Sequence, residues 1–265
     1  MFHVFIPARH GASRLPGKPL REIAGRPLIR YVWEAAMASG AVSVVVATDD
    51  ERIRDACSAF GAEVVMTSPG HASGTDRIAE AVRARGLEAA ELVVNLQGDE
   101  PLMPPSVIAA VAGALRERPR VDIATAAAPV RSLAEFLDPN CVKALRARDG
   151  LALYFSRAPV PWPREAVTGG RPASYEGAWR HIGIYAYRVG GLLRFASWPP
   201  TGLEQIEKLE QLRALEHGMT IHVTALEEPP PGGVDTPEDL ERVRAALEAL
   251  RRERSRTAPG TTAER

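Results

Sequence analysis

Short runs of β-branched and other apolar residues alternate with helical patterns along the first hundred residues. The apolar runs predict strands at residues 2–6, 42–48, 63–67 and 92–96. Helical patterns fill the intervals, at residues 27–39, 50–60 and 75–85. Val44, Val45 and Val46 are consecutive apolar residues, as a strand buried on both faces requires. This alternation predicts an α/β fold in which right-handed βαβ units build a mainly parallel, twisted sheet with helices on both faces.

The second half of the chain is less regular. Residues 121–199 are rich in proline and predict strands at 123–128, 151–155 and 180–188, so we interpret them as an insertion on the sheet. A helix at 203–217, a strand at 220–225 and a helix that begins at Thr236 and Pro237 follow. We therefore predict one domain over residues 1–250, with its core at about 1–120 and 200–250. The polar residues 251–265 are predicted to be a disordered tail.

Composition and charge narrow the class of protein. The 33 basic and 33 acidic residues cancel, so the chain has no general attraction to nucleic acid or to anionic membranes. No apolar run reaches the length of about 18 residues that a membrane span needs, so no membrane insertion is expected. Cys57 and Cys141 are far apart and form no C-x-x-C motif. A disulfide scaffold is therefore not expected, and a cytoplasmic location is favoured.

A basic loop that contains two glycines directly follows the first predicted strand. It reads PARHGASRLPGKPL over residues 7–20 and carries Arg9, Arg14 and Lys18. Backbone amides and point charges in one loop suit a polyphosphate ligand. The loop is not a Walker A motif, because its glycines are one residue too far apart and proline replaces the Ser/Thr that binds magnesium. The alternative interpretation is an ordinary basic surface loop.

Two aspartates follow strands at what should be the same edge of the sheet. Asp99 lies in the segment 95–101, after a buried strand, and Asp235 lies just before the last helix. Ligands of open α/β sheets bind at the carboxyl ends of the strands, and one or two carboxylates there suit Mg²⁺. The alternatives are a simple turn for Asp99 and helix-terminus electrostatics for Asp235.

Polar side chains also follow a regular spacing in two later elements. In the strand at 180–188, alternation places His181, Gly183 and Tyr185 on one face, which suits a bound sugar acid unless that face is only solvated. The predicted helix at 203–217 carries a polar stripe at helical spacing: Glu204, Glu207, Lys208 and Gln211. Such a stripe is most often a solvated face, so the stripe alone indicates no site.

Seven stretches taken together resemble the 3-deoxy-manno-octulosonate (Kdo) cytidylyltransferases. They occur in order over about residues 2–247, which is nearly the whole chain. They are IPARHGASRLPGKPL (6–20), SGTDR (73–77), NLQGDEPL (95–102), ALYFSRAPVPW (152–162), RHIGIYAYR (180–188), LEQIEKLEQLR (203–213) and VDTPEDLERV (234–243).

The resemblance implies a fold, a reaction and partners. The fold would be a Rossmann-like nucleotidyltransferase core, similar to that of GT-A enzymes, with an inserted dimerisation and sugar-binding region. The reaction would join CTP and Kdo to give CMP-Kdo and pyrophosphate, and would depend on Mg²⁺. CMP-Kdo is the activated sugar for lipopolysaccharide biosynthesis. The protein would be a cytoplasmic homodimer.

The resemblance also implies residue roles on the CTP side. Arg9 and Lys18 would hold the triphosphate with help from Arg14, and Asp99 and Asp235 would bind Mg²⁺. These cations would counter the repulsion between two anionic substrates, which is the main barrier to attack on the α-phosphorus. Cytosine would be selected by backbone groups near Ala8 and by the side chains of Arg77 and Gln97.

On the sugar side, the resemblance implies a second group of residues. Arg157 would bind the Kdo carboxylate. His181, Tyr185, Glu210 and Gln211 would hold the sugar hydroxyls.

Four rival interpretations use a similar core. A sialic acid cytidylyltransferase would be expected to differ in the loop that here reads RLPGKP, and a methylerythritol cytidylyltransferase to open with a glycine-richer segment. A glycosyltransferase would be expected to show a D-x-D motif, which is absent. A nucleotide-sensing protein without activity would tend to lose Lys18, Asp99 or Asp235, all of which are present.

Overall fold

The computed structural model describes residues 1–11 and 15–257. Its strands are β1 His3–Ala8, β2 Glu22–Ile23, β3 Arg26–Pro27, β4 Ser43–Thr48, β5 Glu63–Met66, β6 Leu92–Asn95, β7 Ile123–Pro129, β8 Lys143–Arg146, β9 Ala152–Ser156, β10 Val167–Thr168, β11 Arg171–Pro172, β12 Trp179–Arg188 and β13 Ile221–Ala225. Its helices are α1 Leu28–Met37, α2 Glu51–Ala59, α3 Gly74–Ala84, α4 Pro105–Glu117, α5 Leu133–Leu137, α6 Val189–Ala196, α7 Gly202–Glu207, α8 Gln211–Glu216 and α9 Pro237–Thr257. A single 3₁₀ turn lies at Lys18–Leu20.

One large mixed sheet forms the centre of the molecule. Its strand order is β13-β7-β12-β6-β1-β4-β5, and β8 and β9 extend it beside β12. β6, β1, β4 and β5 are parallel neighbours, and β7 and β13 are parallel to each other. β12 is inserted antiparallel between β6 and β7. The predicted α/β class with a mainly parallel, mixed sheet is confirmed.

Apolar side chains project from both faces of this sheet and form two core clusters. One core cluster packs α1, α2, α4 and α9 against one face, and the other packs α3, α6 and α8 against the opposite face. Val44 and Val46 belong to the first cluster and Val45 to the second, because successive side chains of a strand point to opposite faces. The continuous apolar run in β4 therefore follows from burial on both sides.

The parallel strands bring distant loops to one edge of the sheet. β1 pairs with both β4 and β6, so the loops after Ala8 and Asn95 leave neighbouring strands in the same direction. α9 begins at Pro237 with Glu238 and Asp239 in its first turn, as the sequence predicts. The loop just before it reaches the same edge, where the Val234 amide donates a hydrogen bond to the Asp99 carbonyl oxygen at 2.8 Å.

The helix predicted at 203–217 is wrong as a single element. The structure has two short helices, α7 and α8, because Lys208 adopts a left-handed backbone conformation with φ of 54°. Arg157 stabilises this break by donating from Nε to the Glu207 carbonyl oxygen at 2.6 Å. The polar stripe is not simply a solvated face, since Glu204 and Gln211 are buried while Lys208 is exposed.

The chain end and the middle of the chain also differ from the prediction. α9 continues to Thr257, so the first part of the predicted disordered tail is helical, while residues 258–265 lie outside the described part. α4 and α6 are further helices that the sequence pattern did not predict. None of the helices in the described ranges combines the length and apolar composition that a membrane span requires.

A buried ion pair connects the two helices on either side of the break at Lys208 and should stabilise the fold. Glu204, on α7, accepts hydrogen bonds from Arg213 Nε at 2.8 Å and Nη2 at 2.6 Å, and both side chains are buried. We expect Glu204→Gln to lower the free energy of unfolding by about 3 kcal/mol, because Arg213 would remain as a buried charge without a counter-ion. Urea denaturation at neutral pH measures this change.

The matched control is Glu241→Gln. Glu241 forms an ion pair with Arg244 on α9 at 2.6 Å, but its side chain is 64% exposed. Its loss should change the free energy of unfolding by no more than about 1 kcal/mol. Equal effects of the two substitutions would show that α7 and α8 do not depend on the buried pair.

Candidate active site

The three predicted polar segments meet in one cleft. It has a volume of about 240 Å³ and lies at the carboxyl ends of β1 and β6. Most residues predicted for CTP and Mg²⁺ line it: Ala8, Arg9, Lys18, Arg77, Gln97, Asp99 and Asp235. Arg14 lies outside the described residues.

Two glycines allow the loops to approach backbone to backbone. A Cβ atom on Gly98 would lie 2.7 Å from the Pro7 carbonyl oxygen, and one on Gly233 would lie 2.7 Å from the Asp99 carbonyl oxygen. Both distances are too short for any side chain to fit without moving the backbone. The loops after β1 and β6 and before α9 therefore touch because these two positions have no side chain.

Lys18 connects the two predicted metal ligands. Its Nζ donates to Asp99 Oδ2 at 2.6 Å, to Asp235 Oδ1 at 3.0 Å and to the Val234 carbonyl oxygen at 2.8 Å. Burial alone would lower the pKa of Lys18, but the Asp99 and Asp235 carboxylates outweigh burial and raise it. The ammonium group is therefore held charged between two carboxylates.

The same carboxylates fit a hard divalent cation. Both present an oxygen within 3.0 Å of one ammonium nitrogen, so both can reach a single cation. Mg²⁺ takes one or two protein carboxylates and completes its shell with waters and phosphates. Within the described ranges, no group of three or more His, Cys, Asp or Glu side chains is arranged as a metal site. Two carboxylates, completed by waters and phosphate oxygens, therefore suit a hard divalent cation.

Glu100 is a third acidic residue at this junction, and the motif reasoning assigned it no role. Its carboxyl lies against Gly233, whose Cβ would come within 2.9 Å of Oε1. Burial, reinforced by the Asp99 carboxylate, raises the pKa of Glu100 to about 8. The side chain is thus mostly neutral at pH 7 and adds little to the negative charge of the aspartate pair.

The cations of the cleft differ in how firmly they are held. Arg9 is exposed and makes no hydrogen bond or ion pair with the described residues, so its guanidinium can turn to a ligand. Arg77 is buried, and it donates to the Thr67 hydroxyl at 2.6 Å and pairs with Asp49 at 3.1 Å. Arg77 is therefore a fixed part of the cleft wall.

A polar network leads from the cleft floor toward the predicted sugar residues. Gln97 Nε2 donates to Asn95 Oδ1 at 3.1 Å, and Asn95 Nδ2 lies 3.4 Å from the Thr75 hydroxyl. Thr75 in turn donates to Glu210 Oε2 at 2.8 Å. The other Glu210 oxygen and Gln211 Nε2 are buried with no partner among the described residues. These atoms can accept or donate hydrogen bonds to a ligand hydroxyl.

His181 and Tyr185 lie beside this network on one face of β12. Their rings are 5.5 Å apart, and Tyr185 stands opposite Asn95 in the register of β12 with β6. His181 Nε2 is 3.0 Å from the Thr125 hydroxyl. Burial lowers the pKa of His181 to about 3, so the imidazole is neutral at physiological pH. The predicted alternation along this strand is confirmed, since Ile182 packs into the opposite core cluster.

Arg157 is placed differently from the other predicted residues. It does not line the cleft, and its nitrogens donate to the carbonyl oxygens of Pro139 at 2.8 Å, Glu207 at 2.6 Å and Lys208 at 3.4 Å. Its main visible contribution is to hold the turn between α7 and α8. The remaining sugar-side residues also lie outside the lining of the cleft, adjoining it through Asn95 and Thr75.

Comparison with known proteins gives a consistent picture. The Cytidylyltransferase family matches residues 3–221. The 3-deoxy-manno-octulosonate cytidylyltransferase of Pseudomonas syringae pv. tomato is 56% identical over 251 residues, which cover 94% of this chain and 98% of that protein. The enzyme of the same name from Vibrio vulnificus is 50% identical, with 94% and 98% covered.

Solved structures agree with these sequence relatives. A CMP:2-keto-3-deoxy-manno-octonic acid synthetase complexed with CTP has a TM-score of 0.86 and 40% identity, and the match covers 94% of this chain and all of that one. A nucleotidyl transferase from Methanothermobacter, at 15% identity and a TM-score of 0.58 with 94% and 99% covered, shares the fold. With relatives above 50% identity over nearly their whole length, this chain belongs to the 3-deoxy-manno-octulosonate cytidylyltransferase family.

Proposed function

We propose that this protein transfers CMP from CTP to the anomeric hydroxyl of Kdo and releases pyrophosphate. The observation that carries the proposal is the cleft in which Lys18, Asp99 and Asp235 meet, in a chain 56% identical to an enzyme named for this reaction. The structural relative in complex with CTP supports CTP as the donor.

The chemistry needs positioning and charge neutralisation. The anomeric oxygen forms a bond to the α-phosphorus, the bond from that phosphorus to the pyrophosphate oxygen breaks, and the hydroxyl loses its proton. Both substrates are anions, so cations near the α-phosphate lower the barrier. Arg9 has no competing partner among the described residues and would bind phosphate oxygens. Lys18, already charged and aimed at the junction, would hold the triphosphate and the leaving pyrophosphate.

Asp99 and Asp235 would hold Mg²⁺. When bound there, the ion would neutralise charge on the α-phosphate and lower the pKa of the attacking hydroxyl. We assign no side chain as general base. Without the ion, the Lys18 ammonium neutralises the same two carboxylates, which keeps them close together.

The remaining CTP contacts are proposed from the cleft wall. Arg77 and Gln97 line the cleft with their polar groups held by Asp49 and Asn95, and Ala8 offers backbone groups at the end of β1. Fixed donors of this kind discriminate the edge of a base well, because the wrong base leaves them unpaired. We propose that they select cytosine.

On the sugar side, we propose that His181, Tyr185, Glu210 and Gln211 hold the Kdo hydroxyls. The unpartnered buried atoms of Glu210 and Gln211 support this placement. Arg157 is proposed for the Kdo carboxylate, and it would have to exchange one of its carbonyl contacts to reach it.

We also propose a cytoplasmic homodimer. CTP is a cytoplasmic substrate, and both cysteines are free thiols, as a reducing compartment allows. Large apolar side chains in the insertion and on α7 are exposed in the single chain, with Leu153 at 65%, Trp162 at 52% and Ile206 at 80%. Exposed apolar groups of this size suit a contact with a second copy. Light scattering behind a sizing column measures the mass directly.

The first test is pyrophosphate release from CTP and Mg²⁺ with Kdo, with N-acetylneuraminate and without sugar. We expect release with Kdo alone, and EDTA should stop it. Release with N-acetylneuraminate instead would contradict the proposed acceptor. If CTP binds but neither sugar supports release, the result would contradict the proposed sugar-binding roles of Arg157, His181 and Tyr185. The proposed CTP site would still be supported.

Asp99→Asn is predicted to lower kcat at least about a hundredfold, because an amide oxygen carries no charge to offset the reacting phosphates. The fold should be preserved, since the side chain keeps its shape. Asp55→Asn is the matched control, because Asp55 is exposed on α2 and does not line the cleft. Near-normal kcat of Asp99→Asn at saturating Mg²⁺ would contradict the metal-ligand role.

His181 is predicted to stay neutral from pH 8 down to pH 5, because its pKa of about 3 lies far below the usual value of 6.5. The unfolded chain binds a proton at His181 in this range and the folded chain does not. Stability from this residue is therefore complete above pH 6.5 and is progressively lost as the pH falls toward 3. Histidine NMR titration measures the pKa. Titration of His181 near pH 6 would contradict its burial.

A further inference from the structure

Another open cavity, of about 700 Å³, lies away from the CTP cleft, between α4, β13 and the turn from β8 to β9. We call it the arginine pocket, and define it by Arg116, Arg118, Arg146, Arg148, His222 and Thr224. No residue that lines it also lines the CTP cleft. The α4 end and the β8–β9 turn each contribute two of the arginines.

The positive charge of the arginine pocket is poorly compensated. Arg116, Arg146 and Arg148 form no ion pair with the described residues, and Arg118 reaches the carboxylate of Glu117 only at 3.7 Å. The other acidic residue of the lining is Asp149, whose Oδ1 accepts from the Leu151 amide at 3.0 Å. Four guanidinium groups therefore face two carboxylates around one cavity.

Buried polar atoms in the wall have no partner. His222 is 6% exposed, and its Nδ1, the Thr224 hydroxyl and Arg146 Nε make no hydrogen bond with the described residues. His222 and Thr224 share one face of β13, and the alternate residues Ile221 and Val223 fill the core on the other face. Buried polar groups are normally hydrogen-bonded, so these three atoms retain unused hydrogen-bonding capacity in the wall of the cavity.

Gly150 lets the imidazole and the guanidinium come together. Its φ is +88°, and a Cβ atom there would lie 2.5 Å from His222 Cε1 and 3.3 Å from Arg146 Nη2. The loop is fixed by a hydrogen bond from the Val223 amide to the Gly150 carbonyl oxygen at 2.8 Å. Any other residue at 150 would fill the point where these two side chains meet. Arg146 is further held by stacking on Trp179 at 5.1 Å.

We propose that the arginine pocket binds a phosphate group, as free phosphate or as the phosphate of a small metabolite. Planar guanidinium forks match the oxygens of phosphate, and the His222 imidazole and Thr224 hydroxyl add two more donors. This number of donors exceeds what one carboxylate can accept, whereas a tetrahedral dianion presents enough oxygens. The site is separate from the transferase reaction, and it does not rest on the proposed function.

The test is isothermal titration of the full-length protein with inorganic phosphate and with glucose 6-phosphate, at constant ionic strength with chloride. We expect binding that weakens at least about tenfold in the Arg116→Gln/Arg148→Gln double variant, which loses two charge-assisted contacts. Both arginines are exposed, so the fold should survive. Arg83→Gln, an exposed arginine on α3 without a partner in the described chain, is the control for one lost charge and should bind as the wild type does.

Arg9→Gln and a resonance assignment separate the two cavities. Phosphate should shift the His222 ring resonances in the wild-type protein, and the phosphate concentration at half of that shift should be the same in Arg9→Gln, which removes a cation from the CTP cleft only. Tighter binding of glucose 6-phosphate than of phosphate would identify a metabolite site, and the reverse would identify a site for the free ion. Loss of binding in Arg9→Gln with no effect of the double variant would overturn the proposal. So would the absence of any shift at His222.

Discussion

One ammonium group organises the candidate active site. Lys18 Nζ lies within 3.0 Å of carboxylate oxygens from Asp99 and Asp235, which belong to loops 136 residues apart in sequence. The positive charge between the two carboxylates offsets their mutual repulsion. The position of both loops therefore depends on a positive charge, whether an ammonium group or a metal ion supplies it.

The shape of the rest of the cleft depends on close contact between the backbones of the loops that surround the Lys18 ammonium group. Gly98 and Gly233 have no room for a side chain, so the loops are in contact before any ligand arrives. Asp49 and Thr67 hold Arg77 in the wall, and Asn95 holds Gln97. When the donors of a site are already fixed, few side chains have to be ordered on binding, so little conformational entropy is lost. This is the main benefit of preorganisation in catalysis.

The sequence was sufficient for the parts of the fold that depend on local patterns. Consecutive valines in β4 predicted a central strand, and strand order placed Lys18, Asp99 and Asp235 at one edge. The break at Lys208 was not predictable, because it is held by Arg157 from about fifty residues earlier. The burial of Glu204 depends on the same break. The arginine pocket also had no local signal, since its residues come from three separate segments that only the antiparallel β8–β9 pair and β13 bring together.

The position of β12 in the sheet bears on how the specificity for the sugar acceptor could change. β12 carries His181 and Tyr185, which we propose as contacts to the sugar acceptor, and it pairs directly with β6. The main-chain ladder therefore sets the spacing between the proposed acceptor and nucleotide sites. Gly183 lies between them on the same face, is exposed, and has no atom within 4 Å of the place where a Cβ would stand. A side chain could therefore be added at 183 without moving the strand or the loops beyond β6. The proposed acceptor pocket can therefore be reshaped at one position while the proposed triphosphate site stays unchanged.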